Sequence, residues 1–145
     1  MRYTRRCLVL ALALFPLLAG FRASAASAQV EGDRQLYEIH CGVCHGPDGQ
    51  GVERAFPPLV GSRFLLDNPE RTVDIILHGL LDPIRVDEFY EGAMPPIDYL
   101  SDEQVAAVMN YVLNAWGNDG GTVSVQEVEE RRRVGEPVRF RNSDR

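Results

Sequence analysis

Hydrophobic residues recur at helical spacing in three stretches of the chain, separated by segments rich in glycine and proline. The first stretch spans residues 30–39, where Leu36 and Ile39 fall near one face. The second begins at Asn68-Pro69, a typical helix start, and Gly79 weakens or ends it. Its apolar stripe is formed by Val73, Ile76, Leu77 and Leu80. Both stretches predict amphipathic helices.

The third stretch has the clearest boundaries. Ser101 and Gln104 form a capping box at its start, and Gly117 stops it. Between them apolar residues recur at helical spacing: Val105, Val108, Met109, Val112 and Trp116. The charged tail after Gly120 predicts at most a short helix over residues 125–132 and is otherwise expected to be a solvated extension without an assigned role.

The connecting segments lack such periodicity. Residues 46–68 are rich in glycine and proline, and a loop of this length is unusual in a compact domain unless it serves a function. Residues 82–100 are irregular as well. Within them a short extended piece is predicted at Ile84, Val86 and Phe89.

The N-terminus has the pattern of a secretory signal peptide. Arginines precede an apolar run over residues 7–18, which is too short to cross a bilayer comfortably. A-x-A cleavage sites follow, ending at Ala25 or Ala28. We therefore predict three parts: a signal peptide over residues 1–28, a folded domain over 29–120 and a charged extension over 121–145.

The composition adds an acidic bias to this picture. The formal net charge is −6 at pH 7, and removal of residues 1–28, which hold four arginines and no acids, would change it to −10. All 15 basic residues are arginines. Such a chain is not a nucleic-acid binder. Its charge favours a partner with a basic patch, or else serves solubility alone.

The residues with the most specific chemistry are Cys41-Gly42-Val43-Cys44-His45. The C-x-x-C-H spacing is the signature of covalent c-type haem attachment, in which two thiols form thioethers and the histidine binds the iron. A zinc site would need two further ligands at matching spacing, and a thioredoxin-like pair would need a βαβ surround. A disulfide would leave His45 unexplained. We therefore predict one covalent haem c, wrapped by the loop over residues 46–68, in an exported protein.

The second iron ligand decides the function, because an open iron binds gases or peroxide whereas an iron with two ligands mainly moves electrons. The candidates are Met94, Met109, His40 and His78. Core packing accounts for Met109, His40 adjoins the haem motif, and a helical histidine such as His78 is more often packed or exposed. Met94 lies in a loop stiffened by Pro95-Pro96, which favours it as the ligand, although a loop methionine can also simply fill a gap.

With these motifs, residues 30–120 resemble the class I cytochromes c, in particular small bacterial periplasmic cytochromes and those that accompany periplasmic dehydrogenases. The resemblance rests on the haem motif followed by Gly46, on Pro57-Pro58-Leu59, on Gly92-Ala93-Met94-Pro95, and on the terminal helix with Tyr111. It implies an all-α fold of three to four helices and long loops around one haem. The first and last helices should cross near Gly32 or Tyr37 and Tyr111.

The resemblance also implies the roles of the site residues. Cys41 and Cys44 should form the haem thioethers, His45 should be the proximal iron ligand and Met94 the distal one. The carbonyl of Pro58 or Pro57 should orient His45 through its other ring nitrogen.

The function implied is that of a periplasmic electron carrier cycling between Fe(II) and Fe(III), and not of an enzyme. A periplasmic dehydrogenase is the expected donor, with an oxidase or another cytochrome as acceptor, and the chain could also be a dedicated subunit of a dehydrogenase complex. Because many cytochromes c dock through lysines and this chain has none, a basic partner surface is expected. The alternative is a haem sensor or peroxidase-like enzyme with a labile sixth ligand.

Overall fold

The computed structural model describes residues 21–86, 88–135, 138 and 139. The chain divides into two compact units, Met1–Gly32 and Asp33–Arg145, and the second contains the candidate site. Residues 1–20 of the expected signal peptide lie outside the described residues. Within the described ranges, no helix combines the length and the apolar character needed to cross a bilayer.

Helices dominate the described residues, as the sequence predicted. They are α1 Phe21–His40, α2 Gly42–His45, α3 Arg63–Asp67, α4 Pro69–His78, α5 Asp102–Asn114 and α6 Val125–Val134. Two short strands, β1 Ile84–Arg85 and β2 Phe89–Tyr90, pair antiparallel. Extended structure is therefore confirmed at Ile84 and Phe89, but in two separate strands and not in one piece, and Val86 lies outside both.

The ends of the helices follow local chemistry. At the start of α5, the Ser101 side chain accepts from the Gln104 N–H and the Ser101 N–H donates to the Gln104 side chain, which confirms the capping box. Gly79 follows α4 with a φ of 82°, a conformation that favours glycine. Helix α5 already ends at Asn114, because Ala115 is extended, so that Gly117 lies beyond the helix end.

An aromatic cluster joins α1 to the end of α5. Tyr37 is fully buried, and its ring centroid lies 5.5 Å from that of Tyr111 and 5.0 Å from that of Trp116. The Tyr37 hydroxyl donates to the Gly46 carbonyl at 2.6 Å. A contact between the two helices is thus confirmed at Tyr37 and Tyr111, and the Tyr37 hydroxyl holds the turn that follows the C-x-x-C-H motif.

A buried amide fastens the loop after the haem motif to α5. Asn118 accepts from the Gly61 N–H at 2.8 Å and donates to the carbonyls of Leu59 and Val112 at 3.2 and 2.7 Å. One side chain thus satisfies three backbone groups that would otherwise need other partners. The loop over residues 46–68 is therefore anchored on the helical core.

The short helix predicted over residues 125–132 is confirmed as α6, but the expectation that the extension is otherwise solvated is wrong for residues 121–134. Asn110 and Asn114 on α5 hold the backbone of Val123 and Gly121 through hydrogen bonds of 2.7–2.9 Å. Helix α6 then packs on α4 and α5, with Val128 fully buried. The sequence suggested a solvated tail because α6 is charged on most positions and has few apolar residues to mark its buried face.

Candidate haem site

One apolar cleft brings together the residues that the sequence singled out. Counted together with its open mouth, the cleft has an empty volume of about 970 Å³. Cys41, Cys44 and His45 line it together with Met94. Its apolar walls come from the loop after the haem motif, α4, the Met94 loop and α5, and include Phe56, Leu59, Phe64, Leu65, Ile75, Ile76, Leu80, Val108 and Val112.

The C-x-x-C-H motif is folded into a tight helical turn at the end of α1. The Cys41 N–H donates to the Tyr37 carbonyl at 2.8 Å, and the His45 N–H donates to the Cys41 carbonyl at 2.9 Å. Gly46 then ends the turn with a φ of 77°. Because one helical turn carries both thiols and the imidazole, the thiols can reach one edge of a planar group while the imidazole lies against its face.

His45 is oriented by the loop opposite it. Its Nδ1 lies 2.9 Å from the Pro57 carbonyl oxygen, so that Nδ1–H donates there and Nε2 stays available as a ligand. Burial lowers the pKa of the His45 imidazole, against the opposing effect of the Pro57 carbonyl. A neutral ring is the form that binds a metal. Of the two carbonyls considered, it is therefore Pro57 and not Pro58 that orients the ring.

A glycine makes this arrangement possible. The Gly51 N–H donates to the His45 carbonyl at 2.8 Å, and Gly51 has a φ of 68°. A Cβ built on Gly51 would collide with the backbone of Phe56 and Pro57. From the sequence, Gly51 was one of several glycines in the loop over residues 46–68. Its close contact with Phe56 and Pro57 depends on how that loop folds back on itself.

The two cysteines differ in their surroundings, since Cys41 is buried and Cys44 is exposed. Burial raises the pKa of the Cys41 thiol to about 11, and the nearby Cys44 thiolate adds to the rise. A buried thiol that stays neutral converts to an equally neutral thioether without burying a charge. The chemistry of both side chains therefore fits covalent haem attachment.

Met94 is placed by its backbone. Its N–H donates to the Leu80 carbonyl at 2.9 Å, and its carbonyl accepts from the Leu80 N–H at 2.8 Å. This closed pair fastens the loop to the second residue after the end of α4, and the half-buried Met94 side chain lines the cleft. The sequence pointed to Pro95-Pro96 as the stiffening element and missed Leu80, because the pairing joins residues far apart in the chain.

The other candidate ligands have different surroundings. His78 donates from Nε2 to the Arg131 carbonyl at 3.0 Å, and His40 lies beside Tyr99, with 3.2 Å between Nδ1 and the hydroxyl. Neither residue is among those that line the cleft. Met109 does line it, but its side chain is fully buried in the α5 core. The donor set of two thiols, one oriented imidazole and one thioether, within apolar walls, fits haem c.

Comparison with known proteins places this site in a family. The family described as Cytochrome c matches residues 30–116, which include the C-x-x-C-H motif and Met94. The chain is similar to cytochrome c-552 of Thermus thermophilus, with 38% identity over 109 residues that cover 72% of this chain and 70% of that protein.

Two longer relatives belong to dehydrogenases. The cytochrome c subunit of alcohol dehydrogenase (quinone) from Gluconacetobacter polyoxogenes is 38% identical over 126 residues, or 85% of this chain and 27% of the relative. The fructose dehydrogenase cytochrome subunit of Gluconobacter japonicus is 32% identical over 125 residues, or 81% of this chain and 25% of the relative. The chain thus spans about a quarter of each subunit. From the family match and the all-α fold together, the chain belongs to the cytochrome c family of electron-transfer proteins and carries covalent haem c.

Proposed function

We propose that this chain is a one-electron carrier in which Cys41 and Cys44 hold a single haem and His45 and Met94 bind its iron. The observation that supports this most strongly is that all four side chains line one apolar cleft. When bound, haem c supplies the redox chemistry by cycling between Fe(II) and Fe(III). A second residue on the iron would close the position that gas or peroxide chemistry requires.

The chain's own residues tune the site. The Pro57 carbonyl fixes the ring orientation and tautomer of His45, and the Leu80 backbone limits the movement of Met94. A thioether ligand favours the reduced state and raises the reduction potential. The apolar walls act in the same direction, because a low-dielectric site disfavours the additional charge of the oxidised state.

We further propose that the electron donor is a dehydrogenase outside the cytoplasm, and that the acceptor is an oxidase or another cytochrome. The donor class is supported by the two relatives named as cytochrome subunits of alcohol and fructose dehydrogenases. Export to the periplasm is supported by the signal-like pattern of residues 1–28 and by the chemistry of c-type haem attachment. The acidic composition favours a basic surface on the partner.

Salt dependence of electron transfer tests the partner. The oxidised protein would be mixed in a stopped-flow instrument with a purified quinone-dependent alcohol dehydrogenase that has been reduced by its substrate. We expect the rate of haem reduction to fall severalfold between about 0.01 and 0.15 M salt, as the Debye length shortens from about 30 to 8 Å. Reduction by hydroquinone, a small reductant that is uncharged at neutral pH, would serve as the salt control.

Each outcome bears on a different part of the proposal. A rate that is independent of salt would contradict a basic partner surface. The absence of any haem reduction would contradict a dehydrogenase of this kind as donor. Co-purification of a dehydrogenase at moderate salt would identify the chain as a lasting subunit of a complex and not a diffusing carrier.

A further inference from the structure

The described part of the C-terminal segment, residues 121–135 with 138 and 139, lies against the loop that carries Met94. This segment follows the part of the chain that the Cytochrome c family matches, which ends at residue 116. The segment buries Val123 and Val128 in the core. Its polar groups also bind the backbone after Met94, at Asp98 and Leu100, and the backbone at Gly79, next to the residue that pairs with Met94. We call it the C-terminal brace.

Arg132 provides the first attachment of the C-terminal brace. Its Nε donates to the Asp102 carboxylate at 2.7 Å, its Nη1 to the Asp98 carbonyl at 2.9 Å and its Nη2 to the Leu100 carbonyl at 2.7 Å. Asp98 and Leu100 lie in the loop between Met94 and α5, and Asp102 is the first residue of α5. A planar guanidinium with three bonds in fixed directions holds such a backbone more firmly than a single contact would.

Val138 provides the second attachment of the C-terminal brace. Its N–H donates to the Gly79 carbonyl at 2.9 Å, and it pairs in parallel with Leu80. Leu80 is in turn the residue whose N–H and carbonyl both bind Met94. A Cβ built on Gly79 would come within 3.0 Å of the Met94 carbonyl, so these backbones are in close contact. Leu80 therefore forms two isolated backbone bridges, one with Met94 and one with Val138.

Helix α6 of the brace is also bound to α4, through Arg131. Arg131 donates to the Asp74 carboxylate at 2.9 Å, and the Arg131 carbonyl accepts from His78 Nε2 at 3.0 Å. Burial raises the pKa of Asp74 even though Arg131 opposes the rise. The ion pair is thus better suited to fixing the position of α6 than to adding net stability.

We propose that the C-terminal brace is a positioning element that keeps Met94 on the haem iron. The inference rests on the proposed function, in which Met94 is the distal ligand. Release of a methionine ligand requires its loop to move. Arg132 binds this loop at Asp98 and Leu100, and Val138 pairs with Leu80, which in turn binds Met94. Loss of either attachment should increase the fraction of time for which the iron is open.

Two variants of the full chain test the proposal. Arg132→Ala removes two bonds to the loop and one to the first residue of α5, and Val138→Pro removes the N–H that donates to Gly79. The matched control is Arg133→Ala, which removes the same charge from the same helix at an exposed position. A second control, Leu113→Ala, weakens the buried core near the far end of α5 without altering a cleft-lining residue.

Two readouts report on the loop itself. The first is the rate at which carbon monoxide binds the reduced protein. We expect it to rise about tenfold or more in Arg132→Ala, since bonds to charged groups are the stronger ones, and severalfold in Val138→Pro, which loses a neutral backbone bond. The second is hydrogen exchange at the Met94 amide, which should accelerate in the same variants. Arg133→Ala should match the unaltered protein in both readouts, and Leu113→Ala should lower global stability without a matching rise in the carbon monoxide rate.

The outcomes separate this inference from the proposed function. Rapid carbon monoxide binding by the unaltered protein would overturn the proposed function, and with it the need for a brace. Slow binding that stays equally slow in Arg132→Ala and Val138→Pro would overturn the brace alone. An equal effect of Leu113→Ala would also overturn it, because general destabilisation would then account for the opening.

Discussion

Replacement of Met94 by alanine is expected to turn a reduced protein that does not bind carbon monoxide into one that binds it readily. Alanine has no thioether to bind the iron. Among the described residues that line the cleft, the remaining methionine and histidine are Met109, which is fully buried, and His45, which is the proximal ligand. The iron should therefore lose its sixth ligand. The reduction potential should also fall, by a measurable part of the roughly 0.8 V range that axial ligands cover.

The matched control for this prediction is Met109→Leu. Met109 lines the same cleft but is fully buried in α5, and leucine preserves most of its volume. We expect this variant to keep the closed iron site and a nearly unchanged potential. If Met109→Leu opens the iron and Met94→Ala does not, the distal ligand is Met109 and the assignment of Met94 is wrong.

Replacement of both cysteines, Cys41→Ala with Cys44→Ala, is expected to abolish covalent haem attachment. Haem should then be extracted by acidified organic solvent, whereas it should stay with the unaltered chain. Because the cleft walls are apolar and bound haem would cover them, the chain without haem should also lose most of its cooperative thermal transition. Solvent extraction and circular dichroism measure the two effects separately.

Val43→Ala provides the control within the same motif. Val43 stands between the two cysteines with 85% of its surface exposed, and it does not line the cleft. Its loss should leave attachment and stability nearly unchanged. Haem that remained attached to the double cysteine variant would contradict thioether formation at Cys41 and Cys44.

Features that depend on neighbouring residues were predictable from the sequence. The C-x-x-C-H motif sets its own geometry within one helical turn, and the Ser101–Gln104 capping box lies within four residues of chain. The contact at Tyr37 and Tyr111 followed from the resemblance, which carries information on distant contacts that a single periodic pattern lacks.

Features that depend on distant contacts were not predictable in this way. Leu80 pairs with Met94 through backbone groups, and a pattern of side chains along the sequence does not predict such a contact. The choice of Pro57 over Pro58 depends on the turn at Gly51, which brings the loop back over His45. Helix α6 was expected to be solvated because its attachment uses arginines, and a run of three arginines is more often a solvated face.

The most direct test of His45 and Met94 as paired ligands is the visible spectrum of the reduced, unaltered protein with and without carbon monoxide. The protein should be produced with haem-maturation machinery and measured at neutral pH. We expect a sharp low-spin spectrum that the gas does not change, because both axial positions are filled. A spectrum that shifts promptly on addition of the gas would show an open or labile iron, and would favour a haem sensor or peroxidase-like enzyme over an electron carrier.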